Sequence, residues 1–190
     1  MKIAVIGAGP AGLILSHLLA EAGIESIVLD NRTREEIEGT IKAGILEQGT
    51  VEVLEKIPHS RVHTVGHKHD GIELRFNGEG HRIDFPSHVD RSVWLYPQHE
   101  ALIDLIKARL EAGQDLRFST EVAAVEGAET DSPRVVGRNA DGEPFEIVAD
   151  FVVGADGSRS VVRPSVAGSM TAGYFREYPF AWFGILTEAP

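Results

Sequence analysis

Near the start of the chain, Gly7-Ala8-Gly9-Pro10-Ala11-Gly12 is followed about 20 residues later by Asp30, a spacing that can do chemistry. A glycine at Gly7 permits a tight turn. At Gly9 it lets the backbone approach a pyrophosphate with no Cβ in the way, and at Gly12 it lets a helix pack closely on a strand. The pyrophosphate would rest on the free N–H groups and positive dipole end of a helix that starts around Pro10 and Ala11. Asp30 is placed to accept hydrogen bonds from an adenosine ribose. This is the pattern of a dinucleotide site. It reads the ADP half that FAD and NAD share, so it does not choose between them. A second run, Gly154-Ala155-Asp156-Gly157, suggests another backbone loop converging on the same ligand at the carboxyl ends of parallel strands. The competing reading makes Asp156 a turn residue only, since Asp-Gly is common in turns.

These residues need a particular frame. Lys2 to Ile6 reads as a buried strand, and Leu13, Leu15, Leu18, Leu19 and Ala22 recur at helical spacing before Gly23 closes the helix. Ser26 to Leu29 is a second strand that ends in Asp30. The charged run Asn31 to Glu38 reads as a short exposed helix or loop. Val51 and Leu54 mark an amphipathic helix that ends near Pro58. Ile72 to Phe76, the Asn77-Gly78 turn and Arg82 to Phe85 predict a hairpin, and Val93 to Tyr96 a further strand. Gln98 to Gly113 is a helix burying Leu102, Leu105, Ile106 and Leu110. Strands follow at Leu116 to Phe118 and Glu121 to Val125, then a hairpin around Val135-Val136. Phe151 to Val153 is a buried strand running into the second glycine turn, and Tyr178 to Leu186 an aromatic strand.

Composition narrows the function. The chain of 190 residues is 43% hydrophobic and 25% charged, which suits a globular domain. Its formal net charge of −11 disfavours nucleic acid and anionic membrane surfaces as partners. No cysteine is present, so disulfides, thiolate catalysis and cysteine metal sites are excluded. No run approaches the ~20 apolar residues of a membrane span, and no signal-peptide pattern opens the chain. A cytoplasmic location is the expectation. His63, His67 and His69 cluster at mixed spacing and read as surface or strand histidines rather than metal ligands.

The two glycine turns, with a strand-forming insertion between them, resemble the class A, single-component flavoprotein monooxygenases. Ala43-Gly44-Ile45-Leu46-Glu47-Gln48-Gly49 and Tyr178-Pro179-Phe180-Ala181-Trp182-Phe183-Gly184 bring the likeness nearest to the members that hydroxylate 4-hydroxybenzoate. The resemblance covers the whole chain but only about the first half of such an enzyme. It implies an α/β fold: a three-layer Rossmann-like FAD-binding domain over residues 1–170, with a β-rich insertion at about 70–95. Residues 171–190 would begin a substrate-binding domain.

The resemblance also implies roles. Gly7, Gly9, Pro10, Ala11 and Gly12 would hold the FAD pyrophosphate and Asp30 the adenosine ribose. Lys42 and Gln98 would meet FAD. Asp156 would serve both FAD and NADPH, while Arg32, Arg159 and Arg163 fall near the regions that receive NADPH. Thr40 and Lys42 stand where such enzymes usually carry arginines, and a lysine lacks the bidentate fork that suits phosphate. The acidic segment that begins at Asn31 is tied to nicotinamide choice and would repel a 2′-phosphate, which tilts the expectation from NADPH towards NADH. The implied reaction uses a nicotinamide to reduce the flavin, and one atom of O2 then enters a phenolic acid ortho to its hydroxyl. The residues that would hold the phenol, and the family's later Gly-Asp motif, are expected beyond Pro190. Two other readings stay open: an FAD- or NAD-dependent dehydrogenase or oxidase, and a nucleotide-binding fragment without catalysis of its own. Exposed apolar surface around Phe180 to Leu186 would favour a homodimer.

Overall fold

The computed structural model describes residues 1–42, 44–167, 174 and 176–185. Along the chain run β1 (Lys2–Ile6), α1 (Pro10–Glu21), β2 (Glu25–Leu29), α2 (Arg34–Gly39), β3 (Ile45–Glu47), α3 (Gln48–Leu54), β4 (His67–His69), β5 (Gly71–Phe76) and β6 (Glu79–Asp84). Then follow α4 (Phe85–Val89), β7 (Val93–Leu95), α5 (Gln98–Glu111), β8 (Leu116–Arg117), β9 (Glu121–Glu126), β10 (Arg134–Arg138), β11 (Pro144–Val148), β12 (Phe151–Gly154) and α6 (Arg163–Ala167).

The first strand explains the layering. Side chains alternate across a strand, and both faces of β1 are apolar. Ile3 and Val5 join Val28 on one side, under Leu13 of α1 and Leu102, Leu105 and Ile106 of α5. Ala4 and Ile6 join Ile27 and Leu29 on the other, over Val122, Val125, Val135 and Ile147 of an antiparallel sheet ordered β11-β10-β9. Strands covered on both faces read as continuous apolar runs. The middle layer is a parallel sheet ordered β12-β1-β2-β8, in which β1 pairs with β12 and with β2. The three-layer α/β arrangement expected from the sequence is present.

Local signals account for most element ends. Pro10 occupies the first turn of α1, where its missing N–H costs nothing. Gly23 leaves the helix at φ +70°. The acidic run after Asp30 forms α2, opened by a capping box in which Thr33 and Glu36 bond each other's backbone N–H. Its Ile37 is fully buried, so one face of that charged stretch belongs to the core.

Four expectations fail. Leu110, expected on the buried face of α5, lies in its last turn and is 37% exposed. Phe151, expected in a buried strand, is 59% exposed, because β12 is the edge strand of the parallel sheet with β1 as its neighbour there. Phe85 does not extend the return strand of the hairpin but begins α4. The Asp84 side chain caps that helix by accepting the Ser87 N–H at 3.0 Å, and Pro86 fits its first turn. The aromatic segment is not a strand over 176–185, where Trp182 is 95% and Phe183 87% exposed. A strand needs backbone partners, and none among the described residues lies beside it. Leu186, with the rest of the expected boundary at 170–173 and the chain end at 187–190, falls outside the described residues.

An insertion of strands does occupy the region around 70–95. β5 and β6 form a hairpin turning at Asn77-Gly78, and β7 lies between β3 and β4 in a separate antiparallel sheet. A buried polar knot ties this part to α5. Asp104 accepts the Tyr96 hydroxyl at 2.5 Å, the Arg61 backbone N–H at 2.8 Å and Arg61 Nε at 2.6 Å. Burial pushes the Tyr96 phenol well above its usual range, and donation to the carboxylate pushes it the same way. Asp104→Ala would leave buried donors unpaired and is expected to lower the unfolding free energy by about 2–4 kcal/mol, read from urea denaturation. A cost within 0.5 kcal/mol, the scale of an ordinary surface change, would show that the knot is dispensable.

Candidate functional site

The parallel sheet sets the site. At its carboxyl edge β1 stands between β12 and β2, so the turn after β1 lies between Asp156 on one side and Asp30 on the other. Gly7 takes φ +108° and donates its N–H to the Leu29 carbonyl at 2.7 Å. A Cβ there would strike the Ala155 carbonyl oxygen and come within 3.0 Å of the Asp156 Cα. The two glycine turns therefore touch, backbone to backbone. Gly12 has a different role, since its Cβ would strike the Gly7 carbonyl oxygen and reach Val5 Cγ1 at 3.2 Å. It sets how closely α1 approaches β1.

Gly9 is the contrast. A Cβ at Gly9 meets nothing within 4 Å, because it would project into a cleft of about 780 Å³. Gly7, Gly9, Pro10 and Ala11 line this cleft, and so do Asp30, Asn31 and Arg32 beyond β2. Lys42, Gln98, Asp156 and Arg159 line it as well. Of the residues that the resemblance assigns to a cofactor, only Gly12 and Arg163 do not. Gly12 lies behind the turn. Arg163 folds back onto its own loop, donating to the Ser158 carbonyl at 3.1 Å and the Gly157 carbonyl at 2.9 Å.

Lys42 and Gln98 meet through backbone. The Gln98 N–H donates to the Lys42 carbonyl at 3.3 Å, beside the Tyr96 N–H bonded to the Gly44 carbonyl at 3.0 Å. Gly44 is required here, because a Cβ would strike the Tyr96 carbonyl oxygen. The Tyr96–Asp104–Arg61 knot thus holds the part of the chain that presents Gln98. Thr120, Glu121 and Val122 also line the cleft, and the sequence carries no signal for them. They arrive because the Thr120 N–H bonds the Asp30 carbonyl at 2.9 Å and the Ser119 N–H the Arg32 carbonyl at 3.0 Å.

Two carboxylates are held ionised. Asp30 is 5% exposed. Burial pushes its carboxyl up, but the Arg32 guanidinium and the N–H groups of Arg32 and Ala8 outweigh that and hold it below its ordinary value. Asp156 is likewise pushed up by burial and drawn below its usual range by the Ser160 hydroxyl and the N–H groups of Val162 and Val161. Those bonds, at 2.6 Å to Ser160 Oγ and 2.6 Å to the Val161 N–H, hold the loop. Asp156 is thus a turn-forming residue that also faces the cleft. Lys42 and Arg159 bring positive charge to the cleft of an acidic chain, and their side chains pair with no carboxylate among the described residues.

His63 pairs with Glu55 at 2.9 Å, and among the described residues no three metal-ligating side chains converge.

The donor set fits an ADP-containing dinucleotide. The amides of Ala11 and Gly12 lie in the first turn of α1, where no helical acceptor precedes them, and the space over Gly9 is free of side chains. The chain matches the family model described as FAD binding domain over residues 1–190. It is 35% identical to the p-hydroxybenzoate hydroxylase of Acinetobacter baylyi over 191 residues, which is 100% of this chain and 47% of that protein. It is 29% identical to a 3-(3-hydroxy-phenyl)propionate/3-hydroxycinnamic acid hydroxylase of Burkholderia cenocepacia, over 95% of this chain and 33% of that protein. Among solved structures it is similar to CabE, an aromatic hydroxylase from angucycline biosynthesis, with a TM-score of 0.68 and 28% identity. That match covers 86% of this chain and 32% of CabE. The chain thus spans half or less of the length of these relatives. On the family match over its whole length, and with the paired glycine turns as its structural counterpart, this chain belongs to the FAD binding domain family.

Proposed function

We propose that this chain is the FAD-binding part of a monooxygenase that hydroxylates a phenolic acid of the 4-hydroxybenzoate type. NADH or NADPH would serve as hydride donor and O2 as oxidant. The observation that carries this reading is the cleft itself: two glycine turns in backbone contact, with Asp30 and Gln98 on its walls. Likeness over the whole chain to a p-hydroxybenzoate hydroxylase supports the substrate class.

Bound FAD would accept hydride from the nicotinamide and supply the oxygen-transfer chemistry. The chain's own residues bind and orient. The amides of Ala11 and Gly12 and the positive end of α1 would hold the pyrophosphate. Asp30 would accept from the adenosine ribose, and Lys42, Gln98 and Arg159 would meet the remaining polar and anionic atoms. Residues from about 171 onward would open a substrate-binding domain, and the exposed aromatic segment around Phe180 and Trp182 would meet either that domain or a second copy of the chain.

The test is nicotinamide oxidation by the chain with added FAD, with and without 4-hydroxybenzoate, alongside product analysis for an added hydroxyl. FAD binding with oxidation stimulated by the acid is the expected result for a chain that builds a working site. FAD binding without stimulation would make it the cofactor-binding part alone. Failure to bind FAD would overturn the reading.

A further inference from the structure

Asp30 receives four hydrogen bonds, and they fill it. Oδ2 accepts the Ala8 N–H at 2.8 Å and Arg32 Nη2 at 2.9 Å, while Oδ1 accepts the Arg32 backbone N–H at 3.0 Å and Arg32 Nε at 2.9 Å. An ionised carboxylate offers about four lone-pair positions. None remains for a ribose hydroxyl.

The four donors are of two kinds. The backbone N–H groups of Ala8 and Arg32 belong to the turns that build the site, so they orient the carboxylate permanently. The other two belong to one guanidinium at the end of a flexible side chain. The Arg32 side chain is 38% exposed and that of Asp30 only 4%, so Arg32 can leave for water and Asp30 cannot.

We propose that Arg32 is a displaceable latch on Asp30, holding the carboxylate ready and giving way when the vicinal ribose hydroxyls of a dinucleotide take its place. The inference rests on the reading of the cleft as an FAD site. The exchange is donor for donor: Nε–H and Nη2–H are two donors on one rigid group, and a ribose cis-diol offers two O–H donors on adjacent carbons. Asp30 stays ionised and fully bonded before and after. The freed guanidinium remains at the rim of the cleft, where Arg32 already lines the wall. Arg32 is therefore a residue that sets affinity by competing with the ligand, acting through Asp30.

The experiment is a titration of the full chain and of Arg32→Met with FAD, and with ADP against 2′,3′-dideoxy-ADP. Methionine keeps an apolar stem and removes the fork. Removing the competitor is expected to tighten FAD and ADP roughly fivefold, the scale of one modest charge-assisted bond. Dideoxy-ADP, which has no diol to offer Asp30, should show no gain. Weaker binding of all three ligands in Arg32→Met would mean that the guanidinium contacts the nucleotide directly and would overturn the latch. Equal tightening of all three, or unchanged affinity, would overturn it too. A urea titration of Arg32→Met establishes that the variant is folded, and Arg32→Gln, which keeps a single amide donor, should fall between the two. No FAD binding by the unaltered chain overturns the functional reading and the latch together. Binding without the diol-dependent gain overturns the latch alone.

Discussion

Replacing Gly9 with valine is expected to weaken FAD binding at least about 100-fold while changing the unfolding free energy by less than about 1 kcal/mol. The two halves of that result have separate causes. Gly9 sits at φ −78°, ψ 179° as the residue before α1, an extended conformation that valine adopts readily. A Cβ there meets nothing within 4 Å beyond its chain neighbours, so the fold is expected to lose little more than a few tenths of a kcal/mol for a poorer helix cap. The branched side chain would instead stand in the cleft, in the path a pyrophosphate must take to reach the amides of Ala11 and Gly12. Flavin fluorescence on titration, beside a urea melt, reads both numbers. An unchanged dissociation constant would place the pyrophosphate elsewhere and remove the assignment of this turn.

Gly7→Ala should behave in the opposite sense, with the fold itself damaged. An expected loss of about 2–5 kcal/mol combines left-handed backbone strain with overpacking. Both contributions follow from the geometry: φ is +108°, and the added Cβ would strike the Ala155 carbonyl oxygen and lie 2.7 Å from its carbon. Backbone cannot swing aside as a side chain can, so the two glycine turns would have to separate. Against the 5–15 kcal/mol of a typical domain this is a large fraction. A urea midpoint within experimental error of the parent would falsify the close contact between the turns. The two substitutions together separate a glycine needed for the ligand from one needed for the fold.

Much of the site is legible in the sequence. The run Gly7 to Gly12 with Asp30 behind it determined the strand-turn-helix unit, because each glycine answers a steric demand that only a missing Cβ satisfies. The apolar runs at Lys2 to Ile6 and Ser26 to Leu29 announced strands covered on both faces, whereas Phe151 to Val153, read the same way, forms an edge strand with Phe151 59% exposed. Resemblance to known flavoproteins, rather than spacing, pointed to Gln98 and Lys42, and both line the cleft.

Other features were decided only by the tertiary structure. Arg109 looks like an ordinary charged position on a helix, yet it is fully buried, donating to the Ser26 carbonyl at 2.7 Å and the Asp115 carbonyl at 2.9 Å. The Asp104–Tyr96–Arg61 knot joins residues as many as 43 apart, and Thr120 reaches the cleft by pairing with the Asp30 backbone. The fork of Arg32 on Asp30 is local in sequence but follows from burial of the carboxylate, which is a property of the packed sheet. Local steric rules and periodicity act over a few residues and are written in the chain order. Which charged groups end up buried, and which distant segments border one cleft, depends on how the layers close over each other.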